Sequence, residues 1–551
     1  MKAADYISQF LEQKNVSNAF GMSGANIEDL FSAIQKKNKT EIILAKNEYN
    51  AATMAMGSYL ATQKPSVVLT TSGPGVLNTI PVLVESFSSQ IPFVLISGLV
   101  PTQLEGMGAF QDTSGLGGTV DICQMIRHCT CFNIKIKNAN EIPAALEKAY
   151  SLSLKYKKPS AILIPKDIFT NRITEFTISK ERFAEKNTCP LELINAINFC
   201  RQFSRNIHTP PLIILGEELL HLESIERIKE FVKKSCAGVA LTACSKGLFD
   251  HKDPQFLGLA GIMGHNEVND YLEHTEHVIL VGTRMDLLTR FGMEKAFASK
   301  HILIIKEEKG PEHFFTSGKS LCEIYGDIET NFAKIIESLI PKKLSHSLQA
   351  AKQNTEMLGY NLRNMINEIT QSIENEANIF IDAGNSGAFV VHHLEASGKG
   401  VCYVSLGMGG MGNSVGAGIG SAAATGKKTY IFLGDGAFLM HGLEIHTALE
   451  NSLPVVFFIF NNNSHGMCST RENIFLGGET GLSNFRKSNF AAGIEQMFPG
   501  ITAHEVGNME QLRSGLNDIR PRSNPCILSL NIENDEAPPF KSFIKINEVN
   551  R

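Results

Sequence analysis

The chain has 551 residues, 43% of them apolar and 19% charged, with a net charge of −5. That length suits about three domains, and the composition excludes a disordered chain and gives no hint of a nucleic-acid partner. No run of eighteen apolar residues is present to cross a membrane, and eleven scattered cysteines without a Cys-x-x-Cys pair read as thiols of a reducing cytoplasm rather than a zinc centre.

Met1 to Tyr6 already reads as a helix, so no signal peptide is expected. Strand patterns at 42–45, 67–70, 93–96 and 161–164, separated by helical patterns, predict a parallel α/β domain over 1–175. The polar stretch 179–187 reads as a linker. Strand-then-glycine runs at 211–216, 277–282 and 301–305 predict a second such domain over 190–345, closed by Pro341-Lys342-Lys343. A third, over 355–551, takes strands at 379–382, 430–433, 455–460 and 526–530, with 535–540 as a tail able to cover a site. The expected fold class is α/β, with three successive doubly wound parallel-sheet domains.

Two motifs in the third domain carry the chemistry. Gly434-Asp435-Gly436-Ala437-Phe438 follows one apolar strand, and Asn461-Asn462-Asn463 follows the next. Polar groups at the ends of buried strands lie at the carboxyl edge of a sheet, where open α/β sheets bind ligands. A helix expected over 443–451 lets the two strand ends lie side by side. A carboxylate and an amide oxygen are hard ligands for Mg²⁺, which completes its shell with phosphate oxygens and water. Flanking glycines allow close backbone approach to a phosphate. Gly-Asp-Gly alone is also an ordinary turn; the Asn-Asn partner makes the pair informative.

This pair, with its spacing, resembles the signature of thiamine-diphosphate enzymes. The three α/β blocks resemble their pyrimidine-binding, central and diphosphate-binding domains. The resemblance implies that Asp435, Asn462 and the backbone carbonyl of Ser464 hold Mg²⁺, and the metal holds the diphosphate. It places Gly434, Gly436, Ala437, Gly466 and Met467 around the cofactor. Gly384-Asn385-Ser386 resembles the family's diphosphate loop. The Gly-Met-Gly-Gly-Met-Gly run at 407–412, including Gly409, resembles the loop beneath the cofactor. Met411 stands where the family puts the apolar residue that bends the cofactor; a Met elsewhere is more often core filler. Glu48, after a strand and opening a helix, would in isolation be a dipole-compensating surface acid. By resemblance it is the glutamate that bonds the pyrimidine ring nitrogen and promotes the imino tautomer that activates the thiazolium C2. Ser72 and Gly73, in Thr71-Ser72-Gly73-Pro74-Gly75, resemble a loop lying against the cofactor. So does Gly24, in Phe20-Gly21-Met22-Ser23-Gly24, although the family more often has Pro in place of Ser23.

Gly106-Met107-Gly108-Ala109-Phe110-Gln111 and Ile164-Pro165-Lys166-Asp167-Ile168 resemble patterns of the acetolactate synthases. There Phe110, Gln111 and Lys166 would face the active site from a partner subunit, which implies a homodimer or homotetramer. Two positions depart from that subfamily. Arg471 stands where it carries Trp, and Leu288 replaces the arginine that grips the acceptor carboxylate. Arg471 or Arg290 is the candidate to supply a guanidinium, a planar fork suited to carboxylate or phosphate, and a salt-bridged surface arginine is an equal reading. Cys468, where simple decarboxylases put Glu, is the other candidate at the acceptor site. Flavin-binding relatives have a Gly-rich turn after the first central strand. Here Gly216-Glu217-Glu218 would set two carboxylates against a pyrophosphate, so FAD is not expected. The expected activity is decarboxylation of a 2-keto acid, pyruvate foremost, with ligation to a second carbonyl acceptor. The alternatives are a decarboxylase that releases an aldehyde and a non-catalytic cofactor-binding homologue. Retention of Glu48, Asp435 and Asn462 together argues against the last.

Overall fold

The computed structural model describes residues 1–37, 39–174, 188–205, 210–222, 224–309, 318–337, 359–478, 480–533, 536 and 538–540. The expected linker at 179–187 and the boundary at 341–343 lie outside them.

Three six-stranded sheets, each wholly parallel, follow one another along the chain. Across the first, the order is Glu41–Leu44, Asn18–Gly21, Val67–Thr70, Val94–Leu99, Ser160–Pro165 and Phe132–Lys135. The second runs Ser320–Tyr325, His301–Lys306, His277–Val281, Leu212–Leu215, Gly238–Leu241 and Phe256–Leu259. The third runs Cys402–Val404, Asn378–Ile381, Thr429–Gly434, Val455–Asn461, Cys526–Asn531 and Thr502–Val506. Helices cover both faces, so central strands such as Val67–Thr70 and Val455–Asn461 are buried throughout and read as unbroken apolar runs.

Seven of these strands were not among those read from the sequence. Five are edge strands: Phe132–Lys135, Phe256–Leu259, Ser320–Tyr325, Cys402–Val404 and Thr502–Val506. Some are half-solvated and carry polar residues, as in Thr502–Val506, held only by its register against Cys526–Leu530. The other two, Asn18–Gly21 and Gly238–Leu241, are four residues long and contain glycine.

The first and third sheets are joined by two helices, Glu48–Thr62 and Asn413–Thr425, buried on almost every side. Glycines let them cross at backbone contact. A Cβ on Gly57 would lie 1.8 Å from the Ala417 carbonyl oxygen, and one on Gly420 would lie 2.0 Å from that of Met54. One apolar cluster, including Phe20, Val68, Phe380, Ile431 and Phe457, runs through both domains.

The second and third sheets meet at a histidine clasp. The Leu259 N–H donates to His265 Nδ1 (2.9 Å), so the ring proton is on Nε2, which donates to the His392 carbonyl (3.0 Å). His392 Nδ1 returns a bond to the Met263 carbonyl (2.9 Å), and the two rings stack 4.3 Å apart.

In the third sheet the chain begins on Asn378–Ile381, adds Cys402–Val404 on one side, then crosses to Thr429–Gly434 on the other. The crevice beyond these strand ends is the topological switch point, where such sheets bind ligands.

Candidate functional site

At that switch point the segments following three strands of the third sheet form helices Asn385–His393, Asp435–His441 and Gly466–Leu476. Gly384, Asn385, Ser386, Met411, Gly434, Asp435, Gly436, Ala437, Asn462, Ser464, Gly466, Met467 and Cys468 line one cavity. Asp435 opens a helix rather than sitting in a plain turn. The helix expected over 443–451 is a 3-10 turn, Gly442–Glu444, followed by the shorter helix Ile445–Glu450.

Asp435 and Asn462 converge. The Ser464 N–H is shared by Asp435 Oδ2 (3.2 Å) and Asn462 Oδ1 (3.1 Å), while the Gly436 N–H donates to Asp435 Oδ1 (2.8 Å). Asp435 is only 2% exposed. Burial pushes its carboxyl up to about 6, against the hydrogen bonds of Gly436, Ser464 and Asn463, which pull it down. A divalent cation between these oxygens would offset that desolvation. Among the described residues no three His, Cys, Asp or Glu side chains gather as a metal cluster. An Asp, an Asn and a carbonyl are instead the hard oxygen set that suits Mg²⁺.

Room for an anion lies beside this set. Gly384 adopts φ +106°, and nothing stands within 4 Å of where its Cβ would be. Asn385 donates to Thr470 Oγ1 (2.8 Å), but its own Oδ1 is buried with no donor. The first residues of Asn385–His393 and Gly466–Leu476 also line the cavity, so the positive dipole ends of two helices lie at its wall, a setting that suits a diphosphate.

Three family descriptions match the chain in order. They are the N-terminal TPP binding domain of thiamine pyrophosphate enzymes at residues 1–117, the central domain at 207–335 and the C-terminal TPP binding domain at 382–530. The chain belongs to the thiamine pyrophosphate enzyme family. It is similar to the mitochondrial acetolactate synthase catalytic subunit of Saccharomyces cerevisiae, 24% identical over 96% of this chain and 80% of the relative. The acetolactate synthase isozyme 1 large subunit of Escherichia coli is 25% identical over 97% of this chain and 94% of its own length. A probable acetolactate synthase large subunit of Methanocaldococcus jannaschii is 25% identical over 98% and 93%. The protein is therefore an acetolactate-synthase-like thiamine pyrophosphate enzyme.

The N-terminal residues that the resemblance singles out lie in segments that follow strands of the first sheet. Glu48 starts its helix behind Asn47, whose side chain caps the Tyr49 N–H (2.8 Å). Asn78 Nδ2 donates to Glu48 Oε2 (3.0 Å), and a Cβ on Gly75 would lie 3.3 Å from Glu48 Oε1. Ser72 Oγ accepts from Asn26 Nδ2 (2.6 Å), and Gly24 packs against Thr71. Gly73, at φ +62°, packs on Gln111, itself left-handed at φ +63°. Lys166 pairs with Glu28 and the Ala25 carbonyl. Phe110 stands 87% exposed. None of Gly24, Glu48, Ser72, Gly73, Phe110, Gln111 or Lys166 lines the cavity of Asp435.

The remaining candidates also lie outside that cavity. Arg471 is exposed, its guanidinium 5.2 Å from the centre of the Phe475 ring. Arg290 donates to the Met285 carbonyl (3.1 Å). Leu288 lines a separate cavity of about 260 Å³ with Arg284, Tyr403 and Gly407. At the edge of the central sheet Glu217 pairs with Arg284 (3.2 Å) and Glu218 with Lys306 (3.2 Å).

Several side chains around the site escaped the sequence reading. Leu362, His465, Ile532, Glu533 and Glu536 line the cavity; Glu536 comes from the expected covering tail, and its Oε1 accepts the Leu362 N–H (3.1 Å). Asp382 and Glu85, both buried, bind the ends of the 407–412 loop. A buried acid looks like a surface acid in a sequence; its place directly after an apolar strand was the one available signal for Asp382.

Proposed function

We propose that this enzyme binds thiamine diphosphate through Mg²⁺ held by Asp435, Asn462 and the Ser464 carbonyl. In this reading it decarboxylates a 2-keto acid, pyruvate foremost, and joins the remaining unit to a second carbonyl compound. The observation that carries the reading is the convergence of Asp435 and Asn462 on one atom, beside an open glycine cradle and two helix N-termini. When bound, the cofactor supplies the electron sink for decarboxylation. Asn385, Ser386 and the helix amides orient the diphosphate, Met411 supports the ring system, and Glu48 holds a proton at the pyrimidine nitrogen. FAD is not part of this reading, because Glu217, paired with Arg284, and Glu218, paired with Lys306, occupy the turn after the first central strand in place of the Gly-rich turn that suits a pyrophosphate.

That Glu48, Phe110, Gln111 and Lys166 do not line the Asp435 cavity of their own chain supports a homodimer as the minimum active unit, with these residues of a second copy completing the cavity. The exposed Phe110 and Met107 fit such a contact. The bacterial and archaeal relatives favour a cytoplasmic enzyme.

The test is reconstitution with thiamine diphosphate and Mg²⁺, followed by mass spectrometry of products from pyruvate alone and with added aldehydes or keto acids. Acetohydroxy acids or acyloins support carboligation. Free acetaldehyde alone would make the protein a simple decarboxylase. Bound cofactor with no turnover of any pair would make it a non-catalytic homologue.

A further inference from the structure

Glu85 lies in helix Ile80–Ser89 of the first domain and is 1% exposed. Its Oε1 accepts the Gly407 N–H (3.0 Å) and the Ser89 hydroxyl (2.7 Å); its Oε2 accepts the N–H groups of Met408 (2.6 Å) and Gly409 (3.2 Å). Three consecutive amides and a hydroxyl thus converge on one side chain, an arrangement that suits an anion. The fit is close: a Cβ on Gly407 would lie 2.4 Å from Ser89 Oγ and 2.9 Å from Glu85 Oε1. Asp382, from the third domain, holds the other end of the loop. It accepts the Gly412 N–H (2.9 Å), the Ser414 N–H (3.0 Å) and the Ser414 hydroxyl (2.7 Å). Only Gly410 and Met411 stand between the two clamps, and Met411 lines the cavity of Asp435.

We propose that Glu85 is a positioning residue for the reaction: it sets the place of Met411 beneath the cofactor by fixing the 407–409 backbone across the interface between the first and third domains. This rests on the thiamine-diphosphate reading above. Glutamine has the same outline but replaces one acceptor oxygen with an NH₂ group. That leaves at least one of the buried donors facing another donor.

Four proteins test this: Glu85→Gln, Met411→Ala, the double variant and the parent. Glu85→Gln is expected to lower kcat about tenfold or more while leaving the dissociation constant for thiamine diphosphate within about threefold, because the diphosphate partners are untouched. Adding Glu85→Gln to Met411→Ala is expected to cost less than about twofold more, since one acts through the other. In cofactor-free protein, hydrogen exchange at the amides of 407–409 should speed up about tenfold in Glu85→Gln, with the helix 435–441 unaffected. Unchanged kcat, additive losses, or unchanged exchange at 407–409 would each overturn the proposal. If Glu85→Gln does not fold, Ser89→Ala removes the hydroxyl that fixes Oε1. It must then give the same pattern in smaller measure, and parent-like exchange and kcat would count against the proposal. A parent that binds no thiamine diphosphate sinks the functional reading, and the exchange data alone then decide whether Glu85 orders the loop.

Discussion

Alanine should have opposite effects at two glycines, one where Glu48–Thr62 crosses Asn413–Thr425 and one on an exposed helix. In Gly57→Ala the new Cβ would lie 1.8 Å from the Ala417 carbonyl oxygen, whereas ordinary contact begins at 3.4 Å. The helices must part locally by roughly 1.5 Å, because the blocking atom is backbone and has no rotamer to escape into. Overpacking of that kind costs on the order of 1–3 kcal/mol, against a gain of about 1 kcal/mol from replacing glycine within a helix. The expected net effect is a loss of up to about 2 kcal/mol. Gly493 sits in helix Phe490–Met497, exposed, with nothing within 4 Å of its Cβ position. Gly493→Ala should therefore stabilise by about 0.5–1 kcal/mol. The chain has no tryptophan, so urea midpoints are best followed by far-UV circular dichroism. A Gly57→Ala midpoint at or above that of the parent would refute the close-crossing argument. Because Glu48 heads the displaced helix, a genuine separation should also reduce turnover.

In the proposed reading Asp435 is a direct metal ligand, so Asp435→Ala should abolish retention of thiamine diphosphate at neutral pH; unchanged calorimetric binding would remove Asp435 from the site. Mixing Glu48→Ala subunits with Asp435→Ala subunits should restore part of the activity, because one hybrid site regains both residues; mixtures that exchange subunits yet stay inactive contradict a shared site. His265 sits well below its usual 6.5, first through burial and then through the nearby His392, Lys246 and His393. The unfolded chain thus takes up a proton below pH 6.5 that the folded clasp refuses. Stability should be level above 6.5 and fall below it, by at most about 1.4 kcal/mol per pH unit from this group. His265→Gln should flatten that slope in urea midpoints measured between pH 7.5 and 5.5, and an equal slope would clear His265. If Arg471 serves the acceptor, Arg471→Ala should lower kcat/KM for the acceptor by about tenfold to a hundredfold with cofactor binding intact. Parent-like kinetics with every acceptor would leave Arg471 a surface residue.

The α/β class, the order of three sheets and the Asp435–Asn462 pair were legible in the chain. Each of these is local. Strands buried on both faces must be apolar throughout, and ligands at the ends of adjacent parallel strands lie one crossover apart in the chain. Edge strands such as Thr502–Val506 were not legible, because solvent on one side removes the apolar run and only the neighbouring strand holds them. The clamp on the 407–412 loop was not legible either: Glu85 meets Gly407 across 322 positions, and nothing near Glu85 marks it as anything but a helix acid. The same holds for the clasp of His265 and His392. These contacts exist only once the domains have packed, and the same packing leaves Glu48 outside the lining of the Asp435 cavity of its own chain. A sequence records which side chains each segment presents to a core. Which distant segment receives a buried carboxylate depends on how whole domains pack, and hydrogen bonds made there leave no period in the chain.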